Sequence, residues 1–209
     1  MLKNMQEIIE VEMRGRLTAE QHADLLKFLE ENAEFVESKE RILLDYSTFL
    51  SEQGVRQRTK DIRLRITNGQ PELITKLGTW GGREQRKEIS VKTEPGSFDN
   101  LVQTYAALGF EKAMLCVRST KVFNYEGIEL SLVKVPGHSY YFEAEKIVEV
   151  ASDTEQAHKQ IEAVCAELGL SLFDDTAFHD YIEELNKEAN ETFNYSDYKP
   201  GYFSSRFGV

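Results

Sequence analysis

The chain has 209 residues, of which 41% are hydrophobic and 29% are charged. This composition is typical of a folded chain with one sizeable core, and it excludes an intrinsically disordered protein. The formal net charge of −11 argues against a general binder of nucleic acid or of anionic membranes, because such proteins present basic surfaces. A polyanionic ligand would therefore need a local concentration of Lys and Arg, shielded from the acidic exterior.

The lack of a recognisable targeting signal and the cysteine usage predict a cytoplasmic protein. The sequence has no run of about 18 apolar residues, the length of a membrane-spanning helix. Its first residues, MLKNMQEIIEVE, lack the basic and then apolar build of a secretion signal. Cys116 and Cys165 stand far apart, without a CxxC motif or nearby His residues. We expect both to be reduced core thiols.

In chain order, strands and helices alternate. Period-2 alternation and turn signals predict strands at 7–15, 40–48, 61–68, 72–78, 86–93, 112–124, 126–135 and 140–150. Capping residues and apolar stripes predict one helix after Thr18, a second from Ser97 to Gly109, a third from Ser152 to Gly169 and a fourth at 176–190. Many strands in hairpin order, with helices between some of them, favour an α+β fold with a mostly antiparallel sheet or barrel.

The end of the chain differs in composition from the rest. We predict a single domain at 1–192, followed by a tail at 193–209 that contains six aromatic residues. One interpretation is that the tail covers an apolar patch of the barrel. The alternative is that its rings stack on a ligand or close the mouth of a tunnel.

Several predicted strands carry like charges two residues apart, on one face. Glu10 and Glu12 alternate with apolar residues in the first strand, and Glu143 and Glu145 do so in the last. Arg63 and Arg65 share a face of the third strand. Each face taken singly is typical of a solvated strand. Together, the like charges indicate opposite partners, which would be a metal ion for the glutamates and a polyanion for the arginines. A sheet that closes with its charged faces inward would bring them together in a polar tunnel.

Residues 10–14, Glu-Val-Glu-Met-Arg, resemble the E-x-E-x-K signature of the CYTH superfamily, the triphosphate tunnel metalloenzymes. The resemblance extends in the same order through Arg63 and Arg65, Lys76, the strand 118–123 and the closing Glu-Ala-Glu at 143–145, over about residues 6–150. It implies a closed antiparallel β-barrel with a polar interior and helices packed on the outside. It also implies action on triphosphates with Mg²⁺ or Mn²⁺.

Residue roles follow from the same resemblance. The implied metal ligands are Glu10, Glu12, Glu129, Glu143 and Glu145, because hard divalent cations prefer carboxylate oxygens. The implied substrate-binding residues are Arg14, Arg63, Arg65, Lys76, Arg86, Arg118 and Lys121, since guanidinium and ammonium groups bind phosphate. The implied catalytic residues are Glu10, Glu12 and Arg14, with Glu88 as a possible helper whose alternative role is a salt bridge between strands.

Two positions depart from the family pattern. Arg14 stands where the family has Lys, and a guanidinium does not release a proton near neutral pH. Ser131 stands where the family usually has Asp. Glu129, two residues earlier on the same face, is the candidate substitute, and the alternative is that one metal ligand is missing.

The leading functional hypothesis is therefore a divalent-metal-dependent hydrolase of inorganic tripolyphosphate or of a nucleoside or thiamine triphosphate. The alternatives are a class IV adenylyl cyclase that makes cyclic AMP from ATP, and a non-catalytic binder of nucleotide or polyphosphate. The expected partner is a small-molecule triphosphate, without nucleic acid or membrane, and the expected assembly is a monomer or homodimer.

Overall fold

A computed structural model describes residues 9–50 and 55–208. Within these ranges the strands are β1 (Ile9–Leu17), β2 (Glu34–Asp45), β3 (Lys60–Thr67), β4 (Gln70–Leu77), β5 (Arg83–Lys92), β6 (Lys112–Tyr125), β7 (Ile128–Val135), β8 (Ser139–Val148) and β9 (Glu191–Asn194). The helices are α1 (Ala19–Asn32), α2 (Phe98–Ala107), α3 (Thr154–Glu167), α4 (Asp175–Glu188) and α5 (Tyr202–Phe207).

The first eight strands close into an antiparallel barrel. Their order around the barrel is β2-β3-β4-β5-β1-β8-β7-β6, and β6 pairs back with β2. The β2–β6 pairing runs from Glu34 opposite Asn124 to Asp45 opposite Met114. The ninth strand, β9, pairs with the first residues of β6. The predicted α+β class and the predicted closed antiparallel barrel are confirmed.

The barrel is apolar outside because alternate residues of each strand point away from the lumen. Val11 and Met13 of β1 enter one core together with Leu29 of α1 and Ile161 of α3. On the other side, outward residues of β2, β3 and β6 form a second core with Val102 of α2. The helices therefore bury the outer faces of most strands, and the charged faces turn inward. On β5 the outward Ile89 and Val91 stay about half exposed.

The first helix begins where its capping box predicts. Thr18 Oγ1 accepts a hydrogen bond from the Gln21 backbone N–H at 3.1 Å, and Gln21 Oε1 accepts one from the Thr18 N–H at 2.9 Å. These two bonds satisfy backbone donors that the first turn of the helix leaves free.

Strand boundaries differ from the prediction most at β2, at β5, which begins at Arg83 rather than at 86, and at β9. β2 begins at Glu34 rather than at 40, because its exposed first half lacks apolar alternation and is held by pairing with β6. β9 is only four residues long and was not predicted. Residues 7 and 8 of the predicted first strand lie outside the described residues.

The C-terminal tail packs against the second core. Phe193 in β9 and Phe203 in α5 are buried there beside Leu44 and Leu64 of the barrel. The Phe203 ring meets the Phe98 ring of α2 edge-on, at a centroid distance of 4.9 Å. The aromatic residues of the tail thus fill an apolar layer outside the barrel.

Helix α4 lies across one rim of the barrel. At this rim β1 and β7 end, and β3 and β5 begin. Asp175 Oδ1 accepts a hydrogen bond from Gly82 N in the β4–β5 connection at 2.9 Å. On other sides of the same rim, Tyr181 bonds Ser139 at 2.8 Å and Glu184 pairs with Arg16 at 2.8 Å. A Cβ at Gly82 would approach Phe173 O to 2.7 Å. The helix therefore covers this mouth of the lumen, and we call this end the closed rim.

Replacing Phe203 with Ala tests whether the tail belongs to the folded core. We expect the free energy of unfolding to fall by about 3–5 kcal/mol, because a fully buried ring leaves a cavity. Urea denaturation measures the change. Phe49→Ala is the control, since the Phe49 side chain is 40% exposed and its loss should cost less than about 1 kcal/mol. Equal costs for the two variants would show that α5 is not part of the core.

Candidate active site in the barrel lumen

Carboxylates line one side of the lumen. We call this surface the acidic wall, and it comprises Glu10 and Glu12 of β1, Glu143 and Glu145 of β8, and Glu129 of β7. Glu12 lies opposite Glu145 in the β1–β8 pair, and Glu145 lies opposite Glu129 in the β8–β7 pair. Three neighbouring strands thus bring five acidic side chains onto one curved surface.

Guanidinium groups line the facing side. The basic wall comprises Arg41 of β2, Arg63 and Arg65 of β3, and Arg118 of β6. Arg63 pairs with Asp61 at 2.5 Å, and Arg65 pairs with Glu72 at 2.7 Å. Arg41 lies opposite Arg118 in the β2–β6 register. The lumen therefore separates charge across its width, with acids facing bases.

Strands β4 and β5 connect the two walls through ion pairs. Lys76 contacts Glu10 of the acidic wall and lies 3.2 Å from Glu88. Arg86 lies 2.6 Å from Asp61 and 2.7 Å from Glu84. These contacts hold the side chains of the lumen in place without a ligand.

Arg14 is fixed by three carboxylates. Its guanidinium lies 2.6 Å from Glu84, 2.6 Å from Glu12 and 3.3 Å from Glu143. Burial would lower the pKa of Arg14, but these three carboxylates outweigh burial and raise it well above its ordinary value. Arg14 therefore stays charged and orients two members of the acidic wall.

A cavity of about 130 Å³ lies between the basic wall and α4. Its charged and polar lining includes Arg14, Arg41, Arg63, Arg118, Glu143 and Asn190. Its apolar lining includes Phe178, Tyr181, Ile182 and Leu185 of α4. The covering helix shields the guanidinium groups from bulk water on this side, which strengthens their attraction for an anion.

The structure brings most of the predicted site residues into the lumen. It places in one enclosed space Glu10, Glu12, Arg14, Arg63, Arg65, Lys76, Arg86, Arg118, Glu129, Glu143 and Glu145. Glu129 lies 3.8 Å from Lys39, with a side chain that is 42% exposed. Ser131, at the position where the resemblance implies Asp, is buried beside Glu143 in the strand register.

Lys121 is not among the lumen residues. It pairs with Glu30 of α1 at 2.8 Å, and both side chains are about half exposed. The reason is the strand period, because Lys121 is an odd number of residues from Arg118 and so points to the opposite face of β6. The expectation that Lys121 contacts substrate is corrected accordingly.

Sequence reasoning missed several charged residues of the lumen. Arg41 and Asp45 alternate with the buried Ile42 and Leu44 of β2, so the period-2 signal was present. Glu84 carried no such signal, because β5 begins at Arg83, three residues before the predicted strand. Asp61 was visible as the first residue of a predicted strand, but nothing in the sequence showed its three arginine neighbours, Arg58, Arg63 and Arg86.

Crowding and burial separate the pKa values of the acidic wall. Burial, together with Glu10 and Glu129 and against the effect of Lys76, raises the pKa of Glu145 to about 7. Burial also raises the pKa of Glu12 well above its ordinary value, despite Arg14. For Glu143 burial acts in the same direction, but Arg14, Arg41 and Lys76 outweigh it and lower the pKa.

The acidic wall fits a hard divalent cation. Glu145 has neither an ion pair nor a hydrogen bond with any side chain in the ranges 9–50 and 55–208, and Glu129 has only its distant contact with Lys39. Unpaired carboxylates held together repel one another, and a divalent cation removes that repulsion. The all-oxygen donor set suits Mg²⁺ or Mn²⁺ rather than softer metals.

A second group of potential ligands lies outside the lumen. His138, Glu184 and Glu188 hold one ligand atom each within 4.8 Å of the others. Glu184 is already bound by Arg16 through two hydrogen bonds, and Glu188 is half exposed. This group is therefore a surface ion-pair cluster on α4, separate from the acidic wall.

Solved structures share this fold at low sequence identity. The PH1819 protein from Pyrococcus horikoshii is 22% identical, with a TM-score of 0.69, and covers 84% of this chain and 98% of its own. A Hippeastrum protein, described as a candidate adenylyl cyclase with a dominant triphosphatase activity, is 16% identical over 80% and 90%, with a TM-score of 0.53. A chain of the Schizosaccharomyces pombe Mediator head module is 12% identical over 78% and 97%, with a TM-score of 0.59. No protein-family model and no curated protein sequence matches this chain.

The fold and the lumen define a tunnel barrel with a polar interior. The closed antiparallel barrel that the resemblance implies is confirmed, and solved structures that are 22% identical or less share this fold. None of the described helices has both the length and the apolar character needed to cross a bilayer.

Glu145→Gln should raise the free energy of unfolding when a chelator keeps the acidic wall free of metal. The gain should grow as the pH rises. The unfolded carboxyl ionises near 4.5 and the folded one near 7. Ionisation therefore costs the folded state stability between these values, and the cost is constant above them. We expect a gain of about 1–3 kcal/mol at pH 8 and little gain at pH 5, measured by urea denaturation.

Glu143→Gln is the matched control, with the opposite sign. The pKa of Glu143 is lowered, so its charge stabilises the fold above pH 4.5 and that contribution is lost as pH falls. Glu143→Gln should destabilise at pH 8 and approach the parent protein in acid. Equal shifts for the two variants would contradict the described electrostatics.

Proposed function

We propose that this protein is a divalent-cation-dependent hydrolase of a triphosphate compound. The observation that carries the proposal is the pair of facing walls, carboxylates on β1, β7 and β8 and guanidinium groups on β2, β3 and β6. A polyanion that carries a divalent cation is complementary to both surfaces at once. Neither wall alone has this property, since a purely acidic lumen would repel phosphate and a purely basic one would not hold the cation.

The residues suited to the cation are Glu10, Glu129 and Glu145, with Glu12 and Glu143 beside them. A bound Mg²⁺ or Mn²⁺ would neutralise phosphate charge and polarise a phosphoryl oxygen. Mg²⁺ typically takes few ligands from a protein and the rest from phosphate and water. Five carboxylates are therefore more than enough for one ion.

The basic wall would hold the phosphate chain. Arg63 and Arg65 point into the lumen from one strand. Their ion pairs with Asp61 and Glu72 fix the orientation of the two guanidinium planes. Phosphoryl transfer depends on positioning and on stabilising charge that develops on the transferred group and the leaving group. Fixed guanidinium groups meet both needs without reorganising.

The proton of the attacking water needs an acceptor. Glu10 and Glu12 are the candidates on β1, and Arg14 holds Glu12 at 2.6 Å. Attack by the water oxygen on phosphorus forms one P–O bond and breaks the anhydride P–O bond, and the carboxylate takes the water proton. Arg14 keeps its own proton, so its role is to position Glu12 and to face the phosphate.

An adenylyl cyclase is the second candidate. The neighbour from Hippeastrum is described as a candidate adenylyl cyclase with a dominant triphosphatase activity, and both reactions need the same contacts to metal and phosphate. In a cyclase the ribose 3′-hydroxyl replaces water as the nucleophile. Detection of cyclic AMP rather than free phosphate, after incubation with ATP, distinguishes the two.

Location and assembly complete the proposal. We infer a cytoplasmic protein, supported by two free cysteines, Cys116 and Cys165, which are both buried. Its partner would be a small-molecule triphosphate, and it would act as a monomer or homodimer.

Phosphate release from tripolyphosphate, ATP and thiamine triphosphate, with Mg²⁺ or Mn²⁺ and with a chelator, tests the proposal. We expect release from at least one compound, and none in the chelator. Glu10→Gln and Glu145→Gln should lower kcat at least about 100-fold, because they remove donors to the cation.

Glu30→Gln is the matched control, because Glu30 lies on the surface and pairs with Lys121. It should retain the parent rate. Full activity in both Glu10→Gln and Glu145→Gln would show that the acidic wall is not the active site. Absence of release from every compound would overturn the hydrolase proposal itself.

A further inference from the structure

Arg14 is enclosed by carboxylates from three adjacent strands. β1 lies between β5 and β8 in the barrel, and each nitrogen of the Arg14 guanidinium contacts a different acid. Nη1 lies 2.6 Å from Glu84 of β5, Nη2 lies 2.6 Å from Glu12 of β1, and Nε lies 3.3 Å from Glu143 of β8. The guanidinium is therefore the centre of a group of three acids, which we call the Arg14 cluster.

The strand register produces this cluster. Glu12 lies directly opposite Glu84 in the β1–β5 pair and opposite Glu145 in the β1–β8 pair. Like charges directly opposite one another on neighbouring strands are destabilising. The side chains of Glu12 and Glu84 are only 5% and 2% exposed, so water screens their repulsion weakly. A positive charge at this place is therefore needed to hold these carboxylates together.

The other three acids of the acidic wall do not contact that guanidinium. In the ranges 9–50 and 55–208, Glu10 pairs with Lys76, and Glu129 has only its distant contact with Lys39. Glu145 makes no ion pair with these residues. The acids around the lumen thus form two sets, one that already encloses a positive charge and one that is open to a cation from solution.

We propose that the Arg14 guanidinium takes the place of a second divalent cation, so that the lumen binds one such cation, at Glu10, Glu129 and Glu145. This inference rests on the proposed function and deepens it. Paired ions about 3.5–4 Å apart occur in many enzymes that act on phosphate esters and anhydrides, and the acids of this lumen are numerous enough for two. A guanidinium keeps its proton in proteins, so its positive charge is permanent.

The exchange of an ion for a side chain restricts the substrate. One positive charge of the site is built into the chain and does not have to be collected from solution. The substrate would accordingly be a triphosphate complexed with a single divalent cation. Position 14 is also one of the two departures from the family pattern, so this property would belong to this chain rather than to the fold.

Calorimetric titration with Mn²⁺, without any phosphate compound, counts the bound cations and does not require turnover. Glu188→Gln is present in every protein titrated, because it removes one ligand from the surface cluster at His138. We expect one Mn²⁺ per chain when Arg14 is present and two in Arg14→Gln. A count of two with Arg14 present, a count of one in Arg14→Gln, or no binding by either protein would overturn the proposal.

A double variant tests where the second ion binds. Glu84 belongs to the Arg14 cluster and not to the open set, so Arg14→Gln combined with Glu84→Gln should return the count to one. Arg16→Gln is the matched control. Arg16 is on the same strand, but it pairs with Glu184 outside the lumen, and its loss should leave one Mn²⁺. Two ions in the double variant would place the second ion elsewhere and overturn the proposal.

Thermal denaturation in a chelator shows whether Arg14→Gln is folded. We expect a lower Tm than in the parent, because three acids lose their shared positive charge, and a larger rise in Tm on addition of Mn²⁺. Arg14→Lys keeps the charge and should bind one Mn²⁺. It decides the question if Arg14→Gln does not fold, since two ions in Arg14→Lys would overturn the proposal.

The cation counts and the hydrolase assay fail separately. If the parent binds one Mn²⁺ and Arg14→Gln binds two, but neither releases phosphate from any compound, the hydrolase proposal fails and the role of Arg14 stands. If the parent releases phosphate but binds two Mn²⁺, the hydrolase proposal stands and the role of Arg14 is overturned.

Discussion

The pairing of β2 with β6 is the constraint on which the rest of the structure depends. It joins the two ends of the sheet, from Glu34 opposite Asn124 to Asp45 opposite Met114, and so encloses every inward-facing side chain. In an open sheet these charges would be solvated separately and would interact weakly. Inside the closed barrel they meet in a small volume shielded from bulk water, where each charge needs either a partner or a ligand.

Closure also inverts the usual plan of a small β-barrel. The apolar faces of the strands are outside, so helices α1, α2 and α3 and the tail must cover them. Buried ion pairs contribute little net stability, because desolvation offsets their attraction. The free energy of folding therefore comes mainly from the outer apolar layers. The lumen contributes little to folding stability and can serve ligand binding. It can therefore hold carboxylates and guanidinium groups that have no partner.

The sequence predicted this arrangement where alternation was strong. The acidic and arginine pairs of β1, β3 and β8 stand between apolar residues, and this pattern fixed their common face. Prediction failed where the pattern was absent or was not followed. The exposed first half of β2 has no alternation. Glu84 closely follows the glycines that predicted a turn, so it was not assigned to a strand. The assignment of Lys121 ignored the strand period. The cover over the closed rim could not be predicted, because it depends on tertiary contacts of α4 with β1, with the start of β8 and with the β4–β5 connection.

The shared fold by itself does not decide what the barrel does. A chain of the Mediator head module and the Hippeastrum protein have the same architecture at 12% and 16% identity, and function resides in sites that a fold supports. In this chain the inward residues that remain unpaired are the feature that indicates a ligand. Within the ranges 9–50 and 55–208, Glu145 and Arg41 are such residues, one on each wall.

The place of β1 in the barrel has a consequence for folding. This strand lies between β5 and β8, and its partner β8 stands about 130 residues later in the chain. Until the two strands pair, one edge of β1 is open, and its carboxylates face water. Pairings between such distant segments form slowly. The lumen is therefore completed late in folding, once these distant strands have paired.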